Sequence, residues 1–264
     1  MNDNLLMAAI VPHPPIIIPE VGKNETLKVQ NTITSLKKLS NDIVEANPDT
    51  IIIVTPHSIL HPYYFSVYSD EKLYGNFGNF GAPQTEFSFD NDIKLITKLE
   101  QNVKDIFKGL NRLPNNILVD HGSGVPLYFL NKAGYRGKVL IINYTALTSE
   151  NHILFGSLLA KTLNETAQKY VFIASGDLSH CLIPSAPAGY TPEGKEFDEL
   201  IYNSISTGDY NPIINMTPEL RRKAGECAYN SLMTAFGLLD KKPLNNKILS
   251  YEAPFGVGYL VATL

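Results

Sequence analysis

The sequence predicts an α/β fold, a single domain over residues 1–264 with a central, mostly parallel or mixed sheet flanked by helices. Three observations carry this expectation. Short runs rich in β-branched residues alternate with longer stretches whose apolar residues recur at three- and four-residue spacing. The short runs are apolar throughout instead of alternating, as strands are when both faces of their sheet are covered. Gly and Pro are spread along the chain instead of gathering in a linker, so nothing marks a boundary between two domains.

Leu5 to Val11 is the first predicted strand. Glu25 to Ala46 then reads as a helix, with Ile33, Leu36, Leu39 and Ile43 on one face and Pro48 beyond its end. Thr50 to Thr55 (TIIIVT) is the second strand. Leu60 to Phe89 is rich in aromatics and glycine, which predicts strands with turns, or a binding-loop excursion able to wall a substrate. Asp90 to Lys108 reads as helix and Ile117 to Val119 as a short strand ahead of DHGSG. Lys138 to Tyr144 is a further strand, followed by a helix from Ser149 to Lys169 and a strand from Tyr170 to Ser175. After the proline-rich SAPAGYTPEG loop, helices are expected over Lys195 to Ser206 and Gly225 to Leu239, and a last strand over Gly258 to Leu264. No internal repeat, heptad or low-complexity segment interrupts this order.

Composition narrows the function classes. Hydrophobic residues make up 44% and charged residues 18% of 264, enough to bury a sizeable core. A net charge of -4 and a pI near 5.9, with only short basic clusters at Lys37-Lys38 and Arg221 to Lys223, give no footprint for nucleic acid or an anionic membrane. The N-terminus MNDNLLMAAIVPHPP lacks a basic leader, and no apolar run approaches the roughly 20 residues that span a bilayer. Two cysteines, Cys181 and Cys227, cannot make a disulfide framework. A cytoplasmic protein with no membrane or nucleic-acid partner is therefore expected.

Four of the six histidines, His13, His57, His121 and His180, fall within a few residues of the end of a predicted strand. In open α/β sheets the ligand crevice lies beyond the carboxyl ends of the strands, so these rings are expected to converge. His13 and His57 share a local form, apolar strand then Pro-His, in which the proline stiffens the approach to the ring and suits it to metal coordination. His121 in VDHGSGVP and His180 in ASGDLSH have small neighbours that let backbone come close to a bound molecule, which fits a supporting or catalytic role. Asp120 and Asp177 could orient the imidazoles, although aspartates in strand-to-helix turns more often cap helices. His61, four residues after His57, mimics a zinc-protease pair, but Pro56 and Pro62 bracket it and no glutamate follows His57. His152, in the first turn of a helix, is expected to be exposed.

A two-histidine site needs a third ligand, and Glu226, Cys227 and Glu252 are the candidates. If the last helix begins at Gly225, Glu226 lies at the margin of the apolar face set by Tyr229, Leu232, Met233 and Phe236, and Cys227 points nearly opposite. That geometry favours Glu226. A helix that starts later brings Cys227 into contention.

VPHPP, VTPH, VDHGSGVPL, GDLSH followed by YTPEGKEFD, GEC, and the ending SYEAPFGVGYLVA together resemble the class III extradiol ring-cleavage dioxygenases, the family of the protocatechuate 4,5-dioxygenase catalytic (beta) subunit. The similarity runs over nearly the whole chain, and its nearest branch is the dioxygenase-like domain associated with AMMECR1 and Memo proteins. The resemblance implies a non-haem Fe(II) held by His13, His57 and Glu226, a catalytic base at His180 and a substrate-contacting acid or hydrogen-bond donor at His121. It implies a catechol-type aromatic diol and O2 as substrates. As partners it suggests another copy of the chain, a small subunit or a separate AMMECR1-type protein. In the Memo branch a cysteine occupies the comparable helix start, where Cys227 directly follows Glu226. A thiolate favours softer metals such as zinc or copper, and redox roles over oxygen activation.

Chemistry supports the leading reading on its own terms, because two histidines and a carboxylate leave open positions for a chelating diol and for O2. Two other classes remain in view. One is a zinc-dependent hydrolase, since the same donors make a catalytic zinc set. The other is a Memo-like metal-binding redox or partner-binding protein that keeps the scaffold without dioxygenase activity.

Overall fold

The structure, a computed structural model, describes residues 4–264. Leu5–Val11 (β1) and Thr50–Thr55 (β2) form at their predicted bounds. Between them lie a single helical turn, Pro19–Gly22 (α1), and the helix Gln30–Ala46 (α2). The expected start of that helix at Glu25 is displaced, because Lys23–Val29 winds as a 3-10 segment. The α-helical ladder opens only where the Glu252 carboxylate accepts the N–H groups of Asn31 (3.3 Å) and Thr32 (2.8 Å). An acid placed there satisfies two of the free donors at a helix N-terminus.

The aromatic stretch resolves into Ser66–Val67 (β3), Lys72–Phe77 (β4) and Ala82–Asp90 (β5). β4 and β5 make an antiparallel hairpin outside the main sheet, with alternate residues Leu73, Phe77, Phe87 and Phe89 turned inward. Ile93–Phe107 (α3) follows, capped by the Asp92 carboxylate on Leu95 N–H. The next strand is Asn111–Arg112 (β6). The expected strand at Ile117 to Val119 does not form, since only Val119 N–H pairs, with the Tyr74 carbonyl, before Asp120 caps a helix. That helix, His121–Ala133 (α4), is one the sequence reading lacks: its glycines and an internal proline hide it.

The remaining elements are Lys138–Asn143 (β7), Ser149–Asn164 (α5), Tyr170–Ser175 (β8), Pro192–Thr207 (α6), Asn211–Ile214 (α7), Pro218–Ala224 (α8), Tyr229–Leu238 (α9), Lys247–Glu252 (β9) and Tyr259–Thr263 (β10). The last long helix therefore starts four residues later than expected. Gly225, with φ of 62°, ends α8, and Glu226 accepts Tyr229 N–H from outside the new helix.

The described residues form an eight-stranded sheet of order β6-β3-β7-β2-β8-β1-β10-β9. Its centre, β7-β2-β8-β1, is parallel, and β3 and β10 run antiparallel to it on either side, so the predicted mixed sheet is present. Alternate residues feed two cores. Ile52, Val54, Leu140, Ile142, Phe172 and their neighbours pack under α3, α5, α6 and α9, while Ile51, Ile53, Val139, Ile141 and Ile173 pack under α2, α4 and the hairpin. Strands buried on both faces need the continuous apolar runs seen in the sequence. Gly156 and Gly237 let α5 and α9 touch through backbone: a Cβ on Gly237 would sit 1.9 Å from the Ile153 carbonyl oxygen. Among the described residues no helix is long and apolar enough to cross a membrane.

One buried acid ties α6 to the sheet and predicts a pH effect. Asp198, 2% exposed, accepts the Ser179 N–H (2.8 Å) and the Tyr251 hydroxyl (2.6 Å). Burial raises its pKa from the ordinary 3.8 to about 7, against the opposing pull of these two donors. The folded state thus binds a proton that the unfolded chain releases near pH 4. Asp198 contributes stability at low pH that is lost as pH rises from about 4 to about 7, on the order of 4 kcal/mol in total. Asp198→Asn mimics the protonated acid, so its stability relative to wild type should improve between pH 5 and pH 8 in urea titrations. A constant difference across that range refutes this account.

Candidate metal centre

The parallel order of β1, β8 and β2 puts their carboxyl ends side by side at one edge of the sheet. His13 follows β1, His57 follows β2, and β8, ending at Ser175, lies between them. The two rings meet edge to face with centroids 4.8 Å apart and Nε2 atoms 3.0 Å apart. His13 is 2% exposed and His57 is half-buried. Burial lowers the pKa of His13 far below its usual value, with His57, His121 and His180 adding repulsion, and lowers that of His57 to about 4. Both imidazoles are neutral near pH 7, the form in which histidine binds a metal.

The tautomer of His13 follows from a helix defect. Pro126 sits inside α4 and has no N–H for the carbonyl four residues back, which belongs to Gly122. The Ser175 hydroxyl fills the gap by donating to the Gly122 carbonyl. With its proton committed, Ser175 Oγ can only accept from His13 Nδ1, 2.9 Å away. Nδ1 therefore carries the hydrogen, and the Nε2 lone pair faces His57. Gly122 must be glycine for this approach, since a Cβ there would lie 2.4 Å from Thr55 Oγ1 and 2.9 Å from His57 Cδ2. The His13 backbone N–H is held in turn by the buried Asp177 carboxylate at 2.8 Å, so Asp177 braces a histidine and caps no helix.

The third donor at this edge is Cys227. Its Sγ lies 3.6 Å from His13 Nε2, and the donor atoms of His13, His57 and Cys227 all lie within 4.8 Å of one another. Asp177 N–H points at the sulfur at 3.2 Å. The other two candidates are engaged elsewhere. Glu226, the choice favoured by a helix beginning at Gly225, pairs with Arg221 (3.2 Å) and caps α9. Glu252 caps α2. Because α9 starts after both residues, the helical-wheel argument that separated Glu226 from Cys227 has no helix to act on.

His121 and His180 are brought to the same place. The His121 ring stacks at a tilt on His57, centroids 4.1 Å apart, and Phe80 from the hairpin tip meets it edge-on at 5.4 Å. His180 donates Nδ1–H to the Gly225 carbonyl at 2.6 Å, an assignment forced by the carbonyl, which leaves Nε2 free to take a proton. His61 instead accepts the N–H groups of Tyr63 and Tyr64. His152 is fully buried, contrary to expectation, because Nδ1 bonds the Thr148 carbonyl and Nε2 accepts from Thr145 N–H, tying its own helix start to the loop after β7. Ser175, Arg221, Phe80 and Tyr144, whose hydroxyl reaches the Cys227 carbonyl at 3.3 Å, were not singled out by sequence. A proline inside DHGSGVP was the available signal for Ser175.

These donors fit a transition-metal ion. For metal–nitrogen bonds of about 2.1 Å, nitrogens 3.0 Å apart subtend roughly 90° at the ion, an ordinary ligand angle. Burial, with Asp177 nearby, pushes the Cys227 thiol well up, and a cation held between the imidazoles would supply the charge needed to deprotonate it.

Comparison with known proteins places this geometry in context. The family described as "Catalytic LigB subunit of aromatic ring-opening dioxygenase" matches residues 7–262. Protein CA_C1420 of Clostridium acetobutylicum is 36% identical over 266 aligned residues, covering 97% of this chain, while the chain spans 56% of that protein's length. The crystal structure of the uncharacterized protein JW3007 from Escherichia coli K12 aligns with a TM-score of 0.63 at 17% identity, over 98% of this chain and 99% of that one, and so shares the fold.

Proposed function

Given that the chain belongs to the family of the catalytic LigB subunit of aromatic ring-opening dioxygenases, we propose that it is a metal-dependent oxidoreductase that opens a small catechol-type diol with O2, with His13, His57 and Cys227 as the metal ligands. The observation that carries this reading is the convergence of three donor atoms within 4.8 Å at the strand ends, beside two further neutral imidazoles. An ion held by these three residues would supply open positions for the diol oxygens and O2. Iron(II) is the proposed native metal, with zinc and copper as the alternatives a thiolate favours.

The chain's own groups do the rest. His180, its Nδ1–H fixed by Gly225, takes a hydroxyl proton on Nε2. His121, at the first position of α4 and stacked at a tilt on His57, donates or accepts a hydrogen bond to the substrate, and Phe80 supplies an apolar wall for a flat ring. His180→Ala should keep metal and lose turnover by about 10²- to 10⁴-fold, the usual share of a general base. Loss of metal in that variant would remove His180 from this role.

One observation favours a second reading. A cysteine stands where a carboxylate completes the oxygen-activating triad, which suits a Memo-like metal-binding redox protein. Anaerobic purification with metal analysis, Fe(II) reconstitution and O2 uptake on a catechol panel separates the two. Stoichiometric iron with diol consumption supports the dioxygenase. Bound metal without consumption favours the second reading, and absence of bound metal defeats both.

A further inference from the structure

The turn between α8 and α9 carries two metal-competent side chains in succession and sends them to different partners. Cys227 reaches His13, while Glu226 is held back, its side chain only 6% exposed. Glu226 Oε1 takes Arg221 Nε at 3.2 Å, and Oε2 takes Tyr229 N–H at 2.7 Å. Arg221 is itself fixed, since Nη2 donates to Asn230 Oδ1 at 3.2 Å and the guanidinium lies 3.6 Å over the Tyr229 ring. Carboxylate oxygen suits harder ions and thiolate sulfur softer ones, so which of these two neighbouring side chains faces the ion bears on the class of metal bound. A buried carboxylate stripped of its partner has a strong drive to find another cation.

We propose that Arg221 decides the third ligand, and with it the class of metal: by pairing with Glu226 it keeps the carboxylate off the ion and leaves the position to the Cys227 thiol. This rests on Cys227 being a ligand and extends that reading to selectivity. Arg221 touches neither ion nor substrate. It acts as a positioning residue that reaches from α8 to the turn ahead of α9.

Cobalt(II) titration of the full chain tests this, because thiolate ligation adds an intense near-ultraviolet charge-transfer band that nitrogen and oxygen donors do not give. Wild type should show the band. Cys227→Ala should lose it and weaken binding about 100-fold, since locked Glu226 cannot substitute. Adding Arg221→Met, which keeps apolar bulk over Tyr229, should restore affinity at least about tenfold without the band, and adding Glu226→Gln should abolish the recovery. A double variant that binds no better than Cys227→Ala, or a recovery that survives Glu226→Gln, overturns the role of Arg221. A wild-type protein without the band, or a Cys227→Ala protein with undiminished affinity, overturns the ligand assignment instead. Should the double variant not fold by circular dichroism, Arg221→Met alone decides. Its affinity for Mn(II) relative to Zn(II) should rise about tenfold over wild type, and an unchanged ratio refutes the proposal.

Discussion

Replacing His57 with alanine is expected to abolish stoichiometric metal binding while the fold stands. His57 is half-buried at the open edge of the sheet, and its backbone contact, N–H to Thr55 Oγ1 at 3.4 Å, survives the substitution. What is lost is one of two nitrogens 3.0 Å apart, leaving His13 and Cys227 to hold an ion alone. Affinity should fall by about 100-fold or more, beyond the effect of removing a supporting hydrogen bond. Metal content after dialysis and a thermal melt without metal measure the two halves of this prediction. Full occupancy in the variant would move the centre elsewhere. His13→Ala is the less clean substitution, because it also removes the donor from which Ser175 Oγ accepts, leaving that buried oxygen bonded only through its own proton to the Gly122 carbonyl.

The second large effect is expected at Gly176, which has no ligand atom. A Cβ there would lie 2.3 Å from Ala228 Cα and 2.9 Å from Ala228 N, and backbone cannot rotate out of the way as a side chain can. Ala228 follows Cys227, whose N–H is bonded to the Asp177 carbonyl at 3.2 Å. Gly176→Ala must therefore push the two segments apart at the thiol, costing about 3 kcal/mol or more in stability and weakening metal binding together. Gly189→Ala is the contrast: φ is +80°, nothing lies within 4 Å, and the cost is the strain of a left-handed residue, about 1 kcal/mol. Urea titration of both variants, with and without metal, checks the ordering. Equal losses would show that room at Gly176 is not the constraint.

The sheet was legible in the sequence because its strands obey one rule. TIIIVT, KVLIIN and YVFIAS are apolar at every position between their end residues, since both faces are covered, and their bounds follow to within a residue. The four strand-end histidines followed from the same rule and do converge. What was not legible depended on partners distant in the chain. α4 hides behind Gly122, Gly124 and Pro126, and is capped locally by Asp120 but completed by Ser175. His152 reads as a surface residue until the loop after β7 folds over it. Glu226 and Cys227 could be ranked only by knowing where α9 begins, and that is set by Gly225 and by the Glu226 carboxylate itself.

The proline in α4 also orders events in time. His13 acquires its fixed tautomer only through Ser175, 162 residues away, and Ser175 is committed only once it meets Gly122 across another 53. Contacts of such separation close late, because loop closure costs entropy before they return any binding. Metal uptake at a centre built on His13 is then expected to follow docking of α4 onto the sheet.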